Sequence, residues 1–293
     1  MTPRRVLITG SSTGFGHLAA RSLAAEGHRV FAAMRAPDGR NAPARAALAD
    51  FAREGGHDLR VVPLDVTDDR DVAACAESVA AQGGVDAVVH NAGVAAAGIT
   101  EAFSADAMRH VFEVNVFGPQ RVMRAFMPLL RAAAGATVVW VTSTDAREVM
   151  PFLGVYDASK AAQEALAEAW RYELHALGVR TVVIQPGTFP STAILDKLVP
   201  ADDPARAAAY GSLAGLPDAI VASLRELVAQ GQAPDPRGVA DLFAAALRPD
   251  APHRMTLDPS GFDGAARINA VCDEVQRELL ARVGLTHLLP TAR

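Results

Sequence analysis

A tyrosine and a lysine four positions apart are the residues of this sequence best suited to proton transfer. Tyr156 and Lys160 stand in the run Tyr-Asp-Ala-Ser-Lys, and residues four apart on a helix share one face. A free tyrosine has a pKa of about 10, which makes it a poor acid or base at neutral pH. Because a nearby cation lowers that pKa, we predict that Lys160 tunes Tyr156 for general acid–base chemistry.

A glycine-rich turn near the start of the chain indicates a second kind of site. Residues 9–16 read Thr-Gly-Ser-Ser-Thr-Gly-Phe-Gly between an apolar run and a helical segment. Glycines permit a tight turn and close approach of the backbone to a pyrophosphate, and the helix N-terminus favours phosphate. An ordinary glycine turn is the alternative. We predict a dinucleotide-binding turn made by Gly10, Ser12, Thr13, Gly14, Phe15 and Gly16.

Alternating strands and helices must position these groups. Short apolar runs predict strands at residues 6–8, 29–33, 59–64, 86–90, 137–142, 181–185 and 253–258. Long helices are predicted at 105–133, with a kink before Pro128, and at 156–177. This alternation predicts an α/β fold: a doubly wound parallel sheet of about seven strands (a Rossmann fold), with helices on both faces.

The chain of 293 residues is predicted to form one domain, 1–293. Prolines punctuate residues 188–236, and a connection of this length is usually functional or disordered. It follows the sixth strand, at the sheet edge where ligands bind in such folds. We therefore predict a substrate-binding insertion at 188–236, containing a helix near 218–230, and a helical C-terminal tail at 265–293.

The order of the motifs resembles that of the classical short-chain dehydrogenase/reductase family. The turn is T-G-x-x-x-G-x-G, and further matches lie at the ends of predicted strands. The resemblance covers residues 4–192 well and the remainder loosely. The further matches are Asp65-Val66, Asn91-Ala92-Gly93, Ser143 ahead of Tyr156 and Lys160, and Pro186-Gly187 followed by Thr192.

The resemblance implies an oxidoreductase that moves a hydride between a nicotinamide cofactor and a carbonyl or secondary alcohol. Tyr156 would be the acid or base, Lys160 would also bind the nicotinamide ribose, and Ser143 would hydrogen-bond the substrate oxygen. Asn115 would link Lys160 to a proton-relay water, and Asp65 would contact the adenine. Thr142 and Thr144 compete with Ser143 for its role, and a buried Asn115 could instead satisfy backbone groups.

Arg35 indicates whether the cofactor carries a 2′-phosphate. NAD enzymes place a carboxylate at the end of the second strand, whereas an arginine accommodates a 2′-phosphate. The chain reads Ala-Ala-Met-Arg over residues 32–35, and guanidinium suits phosphate. We therefore predict NADP(H) over NAD(H), although Thr13 departs from the family's other NADP signature, a basic residue, and Arg35 could be a plain surface charge.

The predicted substrate is a small hydrophobic carbonyl or alcohol. Apolar residues around the insertion could line its pocket, and the insertion and tail resemble the branch related to 17β-hydroxysteroid and retinol dehydrogenases. An NADP-binding regulator or redox sensor on the same scaffold, and an isomerase that uses transient hydride transfer, are the alternatives. The pocket residues are Met150, Phe152, Leu153, Phe189, Ile194, Leu195, Leu198 and Leu213.

Net charge, cysteine spacing and the length of apolar stretches indicate which kinds of partner this chain is expected to lack. A net charge of −5 argues against nucleic acid, which needs clustered cations. Cys75 and Cys272 have no metal-ligand spacing, so we predict neither a metal site nor a disulfide. No apolar stretch reaches the length of a membrane span. We expect a cytoplasmic protein, and the family resemblance implies a homodimer or homotetramer assembled through the long helices.

Overall fold

A parallel sheet of seven strands forms the centre of the protein. The computed structural model describes residues 2–289. Neighbouring strands of this sheet are parallel throughout, in the order β3-β2-β1-β4-β5-β6-β7. The predicted doubly wound fold is therefore confirmed. The strands are β1 (Arg5–Thr9), β2 (Arg29–Met34), β3 (Leu59–Pro63), β4 (Ala87–His90), β5 (Thr137–Val141), β6 (Arg180–Pro186) and β7 (Arg254–Leu257).

Helices follow the strands and cover both faces of the sheet. They are α1 (Gly14–Ala25), α2 (Ala42–Gly55), α3 (Asp69–Ala81), α4 (Ala105–Phe112), α5 (Gly118–Ala132), α6 (Gly154–His175), α7 (Pro204–Ala208), α8 (Leu216–Ala229), α9 (Arg237–Ala246) and α10 (Gly264–Arg282). The sequence pattern did not predict α2. Leu48 is its one fully buried residue, so its apolar periodicity is weak.

Local sequence sets where several helices begin and end. Asp68 caps α3, its carboxylate accepting from the backbone N–H groups of Arg70 at 2.7 Å and Asp71 at 3.1 Å. Ser104 caps α4 by accepting from the Ala107 N–H at 3.1 Å. Gly56 ends α2 in the left-handed conformation, at φ +64°. The two side-chain caps satisfy backbone N–H groups that the start of a helix leaves free, and the left-handed glycine ends its helix.

Two hydrophobic clusters hold the layers together, one on each face of the sheet. Trp140 and Phe126 are fully buried in the cluster beneath α3, α5 and α6. Leu23 and Phe243 are fully buried in the cluster beneath α1 and α9. Small Ala and Val side chains make up much of both clusters, which lets the helices lie close to the sheet and fixes the strand ends where the site forms.

The predicted helix over 105–133 exists, but it is not uniform. Helices α4 and α5 are joined without a break by a π-helical turn, Glu113–Phe117, and Pro128 lies inside α5. Asn115 stands in the middle of this turn and is fully buried. Such single π turns often occur at functional sites.

A buried polar network joins β7 to helix α6. Glu164 on α6 is fully buried and accepts from Nε of Arg254 at 3.0 Å and from Nε2 of Gln185 at 2.8 Å. Arg147 reaches the same carboxylate at 3.2 Å. Arg254 also pairs with Glu168, one turn further along α6. Every buried charge in this network has an opposite partner, as stable burial requires.

The chain after β6 returns towards the end of β4 before it forms α7 and α8. Two short parallel strands, Ala96–Ala97 and Val199–Pro200, make this connection. Of the predicted tail, residues 265–282 lie in α10, whereas 290–293, like Met1, lie outside the described residues. Across residues 2–289, no helix combines the length and apolar character needed to cross a membrane.

Candidate active site

The glycine-rich turn and the end of β4 are locked together by Thr9. The Thr9 hydroxyl accepts from the N–H groups of Asn91 and Ala92, both at 3.0 Å. Asn91 Nδ2 in turn donates to the Thr9 carbonyl at 2.8 Å. β1 and β4 are neighbours at the point where the strand order reverses, which is where doubly wound folds bind ligands.

Gly10 and Gly16 have no room for side chains. Gly10 lies at φ +73°, and a Cβ there would come within 2.8 Å of the Ala92 Cα. A Cβ on Gly16 would collide with the Asn91 amide and the Gly10 carbonyl. The two glycines are therefore required to bring the turn against the end of β4, whether or not a ligand is bound.

The open side of the turn borders a cavity of about 390 Å³. Helix α1 begins at Gly14, and the side chain of Thr13 does not cap it. The first N–H groups of the helix are therefore available to an anionic ligand. A Cβ at Gly14 would approach the Thr192 Cβ to 3.3 Å, so glycine keeps the space between them open. This cradle fits the phosphates of a dinucleotide; Ser12, Thr13, Gly14 and Thr192 line it.

Phe15 faces away from this cavity. Its ring packs edge-on against Phe189, with ring centroids 5.5 Å apart. Phe189 is 5% exposed and belongs to the core cluster under α1. The prediction that Phe189 lines the substrate pocket is therefore wrong, because its ring fills the space beside α1. Met150 and Leu213 are 50% and 46% exposed, so no pocket encloses them.

Arg35 follows β2 at the same sheet edge. Its Nη1 lies 3.8 Å from Oδ2 of Asp65, and both side chains keep solvent contact. The other oxygen of Asp65 accepts from the N–H and hydroxyl of Thr67 at 3.0 and 2.7 Å. Val66 is buried against Gly118 of α5. Asp65 is thus fixed by its own turn, while the Arg35 guanidinium remains accessible.

Ser143 lies near Tyr156, the predicted acid or base. Its hydroxyl lies near enough to Tyr156 to lower the pKa of that tyrosine, and its Oγ lies 3.1 Å from Oδ2 of Asp145 and 3.4 Å from the Pro186 carbonyl. The neighbouring Thr142 donates instead to Glu164 at 2.9 Å, on the opposite side. The geometry therefore favours Ser143 over Thr142 as the group beside Tyr156.

The pKa of Tyr156 moves against the direction expected from the sequence. Burial raises it, and the negative charge of Asp145 raises it further, while the hydrogen bond with Ser143 lowers it. Lys160 Nζ lies 5.8 Å from the centre of the Tyr156 ring. The amine donates to the Val141 carbonyl and the Gln163 Oε1, each at 3.1 Å. Loss of hydration thus outweighs the distant cation.

Lys160 is itself perturbed. The residue is 5% exposed, and burial lowers the pKa of its amine to about 8, against the opposing charges of Asp145 and Glu164. Its hydrogen bonds go to a carbonyl and an amide oxygen, both uncharged. A buried amine without a direct carboxylate partner is unusual in a purely structural position.

Asn115 connects the long helix to the start of α6. Its Oδ1 accepts from the Val94 N–H and its Nδ2 donates to the Val94 carbonyl, both at 2.9 Å. Nδ2 also contacts Ser159 Oγ at 2.9 Å, and Ser159 donates to the Tyr156 carbonyl at 2.7 Å. Asn115 therefore satisfies backbone groups and also braces the helix that carries Tyr156. Ser159 was not predicted, although it stands between Tyr156 and Lys160.

The end of β6 closes the site from the other side. Gly187 donates to the Leu257 carbonyl at 2.9 Å, and a Cβ on it would lie 2.9 Å from the Asp258 carboxyl carbon. Thr192 donates to the Phe189 carbonyl at 2.9 Å, which orders the chain where it leaves the sheet. Pro186-Gly187 and Thr192 therefore border the region between the turn and Ser143.

The family model for the short chain dehydrogenase matches residues 4–203. The protein is a member of the short-chain dehydrogenase family. Two curated relatives agree with this. The uncharacterized oxidoreductase YusZ of Bacillus subtilis is 34% identical over 210 residues, or 70% of this chain and 74% of that protein. The 17-beta-hydroxysteroid dehydrogenase type 1 of Mus musculus is 34% identical over 283 residues, or 92% and 77%.

Solved short-chain dehydrogenases share the fold. One from Streptomyces avermitilis has a TM-score of 0.72 at 27% identity, over 97% of this chain and 98% of that one. Another from Burkholderia phymatum, in complex with NAD, has a TM-score of 0.69 at 25% identity, over 94% and 95%. The family resemblance inferred from the motifs is confirmed, and the protein is an NAD(P)-dependent oxidoreductase.

Proposed function

We propose that this dehydrogenase reduces a carbonyl, or oxidises the matching secondary alcohol, with NADP(H) as hydride carrier and Tyr156 as acid or base. The observation that carries the proposal is the buried amine of Lys160, 5.8 Å from the centre of the Tyr156 ring, with Ser143 near the same tyrosine. Ser143 lies two residues after the end of β5, at the carboxyl edge of the sheet that also carries the glycine-rich turn. Ligand and reacting groups thus share one crevice.

The proposed division of work among the side chains follows from their chemistry. A bound nicotinamide cofactor supplies the hydride for reduction or accepts it in oxidation. Ser143 holds the substrate oxygen, and Tyr156 gives its proton to that oxygen as negative charge develops there. The raised pKa keeps Tyr156 protonated at neutral pH, which is the form that reduction requires. The Lys160 cation stabilises the phenolate that remains.

Asn115 and the cofactor-binding set complete the proposal. Asn115 is proposed to link Lys160 to a proton-relay water; a Cβ on Gly93 would lie near both, 3.3 Å from the Asn115 Oδ1 and 3.7 Å from the Lys160 Nζ. The residues proposed to hold the cofactor, Phe15 through its backbone, are Gly10, Ser12, Thr13, Gly14, Phe15, Gly16, Arg35, Asp65, Val66, Asn91, Ala92, Gly93, Tyr156, Lys160, Pro186, Gly187 and Thr192.

The preference for NADP(H) rests on charge at the end of β2. The residue after this strand is Arg35 rather than a carboxylate, and its guanidinium remains accessible beside Asp65. A carboxylate there would accept from the ribose hydroxyl of NAD, whereas a guanidinium pairs with a 2′-phosphate.

We propose a small hydrophobic substrate, bound against the insertion at 188–236. Leu195 is buried and Ile194 and Leu198 are half-buried, which offers apolar contact area near the site. The similarity to 17-beta-hydroxysteroid dehydrogenase type 1 supports a hydrophobic secondary alcohol or ketone. The proposal extends to a homodimer or homotetramer in the cytoplasm. Phe117, 49% exposed on the long helix, is one apolar group that such an assembly could cover.

The test is turnover of NADPH and NADH with a panel of aliphatic, aromatic, retinoid and steroid carbonyls. We expect oxidation of NADPH that falls by a factor of about 10² to 10⁴ in Tyr156→Phe, as for loss of a general acid. Tyr172→Phe, further along α6, is the matched control and should retain activity. Tight NADPH binding without turnover of any substrate would favour the regulator instead.

A further inference from the structure

A carboxylate lies in contact with the hydroxyl that is proposed to hold the substrate oxygen. Oδ2 of Asp145 is 3.1 Å from Oγ of Ser143, and the backbone N–H of Asp145 donates to the same Oγ at 3.1 Å. An ionised carboxylate only accepts hydrogen bonds, and a serine hydroxyl has a single proton. Ser143 therefore donates that proton to Asp145, which leaves none for the oxygen of a substrate.

The cations nearest to Asp145 are committed to other partners. Across residues 2–289, Asp145 forms no ion pair with an arginine, lysine or histidine. Arg147, two residues further along the chain, turns away and donates to Oδ1 of Asn269 at 2.8 Å and to Glu164 at 3.2 Å. The amine of Lys160 donates to two uncharged oxygens. The carboxylate beside Ser143 thus lacks a direct counter-charge, which a partly buried charge normally has.

A second carboxylate next to Tyr156 is also incompletely paired. Asp157 is 3% exposed. Its Oδ2 accepts from the Met150 N–H at 2.9 Å, whereas its Oδ1 is buried and has no hydrogen-bond partner among the described residues. Burial raises the pKa of Asp157 to about 7 against the hydrogen bond from Met150, and the charge of Asp145 raises it further. The two carboxylates therefore face one region beside the tyrosine.

A third carboxylate, that of Asp258, lies on the β7 side of the same region. A Cβ on Gly187 would come within 2.9 Å of its carboxyl carbon, and the carbonyl of the preceding Pro186 is 3.4 Å from Oγ of Ser143. Burial raises the pKa of Asp145, and Asp258 is one of the negative charges that raise it further. Negative charge is thus concentrated around the hydroxyl of Ser143, and a ligand cation would balance it.

We propose that the substrate carries an amine on the carbon next to the reacting carbonyl or alcohol, and that Asp145 binds this amine as an ammonium. The inference rests on the proposed function of Tyr156 and Ser143 and narrows the substrate to amino ketones or amino alcohols on a hydrophobic chain. An ammonium donates charge-assisted hydrogen bonds to the carboxylate, so the Ser143 proton becomes free for the substrate oxygen. Because Oγ of Ser143 and Oδ2 of Asp145 are in contact, the groups that they bind must lie close together on the substrate.

The amine takes no part in the bond changes. In reduction, the hydride of the cofactor goes to the carbonyl carbon and the proton of Tyr156 goes to the carbonyl oxygen, which gives the amino alcohol. Asp145 is thus a substrate-binding residue, and its contribution should depend on the charge of the amine.

The decisive experiment compares two ketones that differ only in the amine. One is an aminooctanone with the amine on the terminal carbon and the carbonyl on the next, added fresh as its hydrochloride at neutral pH; the other is the octanone without the amine. Oxidation of saturating NADPH or NADH by the full chain gives kcat/KM for each ketone. The wild type should favour the amino ketone about tenfold or more, and Asp145→Asn should lower this ratio about tenfold, the loss expected for one charge-assisted hydrogen bond.

Three controls separate recognition of the charge from other effects. The change in the ratio is the test, because an ammonium also activates the neighbouring carbonyl and Asp145→Asn also alters the surroundings of Ser143. Asp145→Glu keeps a carboxylate and should keep part of the preference. Asp250→Asn is the charge-matched control and should keep all of it, since Asp250 is exposed and precedes β7 at the opposite sheet edge. The N-acetyl derivative of the amino ketone keeps the nitrogen without its charge and should lose the preference.

The outcomes distinguish this inference from the proposed function. If the chain turns over no carbonyl or alcohol at all, the proposed function is wrong and the inference is overturned with it. If the chain reduces neutral ketones but shows no preference for the amino ketone, only the inference is overturned. A preference that persists unchanged in Asp145→Asn, or that the N-acetyl derivative shares, overturns it as well.

Discussion

The first turns of helix α6 and the turns that follow them bury polar groups in opposite ways. Lys160 donates to two uncharged oxygens and has no direct partner of opposite charge, and the nearby Tyr156 is neutral. Glu164 and Glu168, one and two turns later, are paired with arginines. A buried charge without a counter-charge is costly, so a fold retains it only where it is used. Incomplete pairing, more than burial, therefore distinguishes the part of this helix that we propose to be reactive.

The directions of the pKa shifts divide helix α6 in the same way. Burial shifts the pKa of Tyr156 upward and that of Lys160 down to about 8, each towards its neutral form. Glu168 shows the reverse. Burial alone would raise its pKa, but its hydrogen bond with His253, the charge of that histidine and the charges of two arginines hold it at about 2. Glu168 therefore keeps its charge down to low pH, whereas Lys160 can lose its charge near pH 8.

The largest expected effect comes from removing a cation of the paired half. Arg254→Met removes the closest guanidinium from the fully buried Glu164 and leaves Arg147 as its remaining cation. Removing one partner of a buried ion pair costs about 3–5 kcal/mol. We expect the free energy of unfolding in urea to fall by this amount, while the protein that remains folded keeps its turnover number. Unchanged stability would mean that the network does not stabilise the fold.

The matched change at Lys160 should have the opposite effects on stability and on turnover. Lys160→Met removes a buried amine whose charged form is disfavoured, so we expect equal or greater stability. Turnover should fall by a factor of about 10² or more, as for loss of an acid–base partner. Urea unfolding and NADPH oxidation measured on one preparation check both parts. A marked loss of stability would show that Lys160 is structural after all.

The stability of the protein at acid pH should depend on Glu168. The pKa of Glu168 is about 2 in the folded protein, below its ordinary value of 4.5. A lowered pKa in the folded state stabilises the fold above the ordinary value, and this contribution is lost as pH falls from about 4.5 towards 2. Glu168→Gln should be less stable at neutral pH and should lose less stability over this interval. Parallel stability curves for the two proteins would contradict this.

The smallest expected effect is a shift of the pH profile through Asp145. The negative charge of Asp145 helps to raise the pKa of Tyr156, so Asp145→Asn should lower that pKa. Reduction requires protonated Tyr156, and its alkaline decline should then begin at a lower pH than in the wild type. Carbonyl reduction measured across alkaline pH, with cofactor saturating, tests this; a decline at unchanged or higher pH would rule it out.

Much of the fold could be predicted from sequence because its strands are short apolar runs that end at turn residues. The glycine-rich turn, Asn91 and Ser143 all lie at strand ends, so their meeting at one sheet edge follows from a parallel topology. Helix α2 escaped prediction because alanines carry little periodic signal. The direction of the Tyr156 shift also escaped, since it depends on how far burial dehydrates the ring.

Contacts made by the insertion could not be predicted at all. Lys197 meets Thr13 because of the path taken by residues 188–200, and no local pattern encodes that path. Asp145 is a similar case. It stands two residues after Ser143, but its position in the sequence does not show that its carboxylate faces that hydroxyl.

The π-helical turn at Glu113–Phe117 limits where this chain can lose a residue. It acts as a one-residue insertion in an otherwise regular helix. Because its i→i+5 hydrogen bonding absorbs the extra residue, deleting one residue there would restore a regular α-helix and keep α5 in phase with α4. Val122 and Phe126 would remain buried against the sheet, but Asn115 would lose its two hydrogen bonds with Val94. Natural relatives should therefore vary this stretch by substitution and not by loss of a residue.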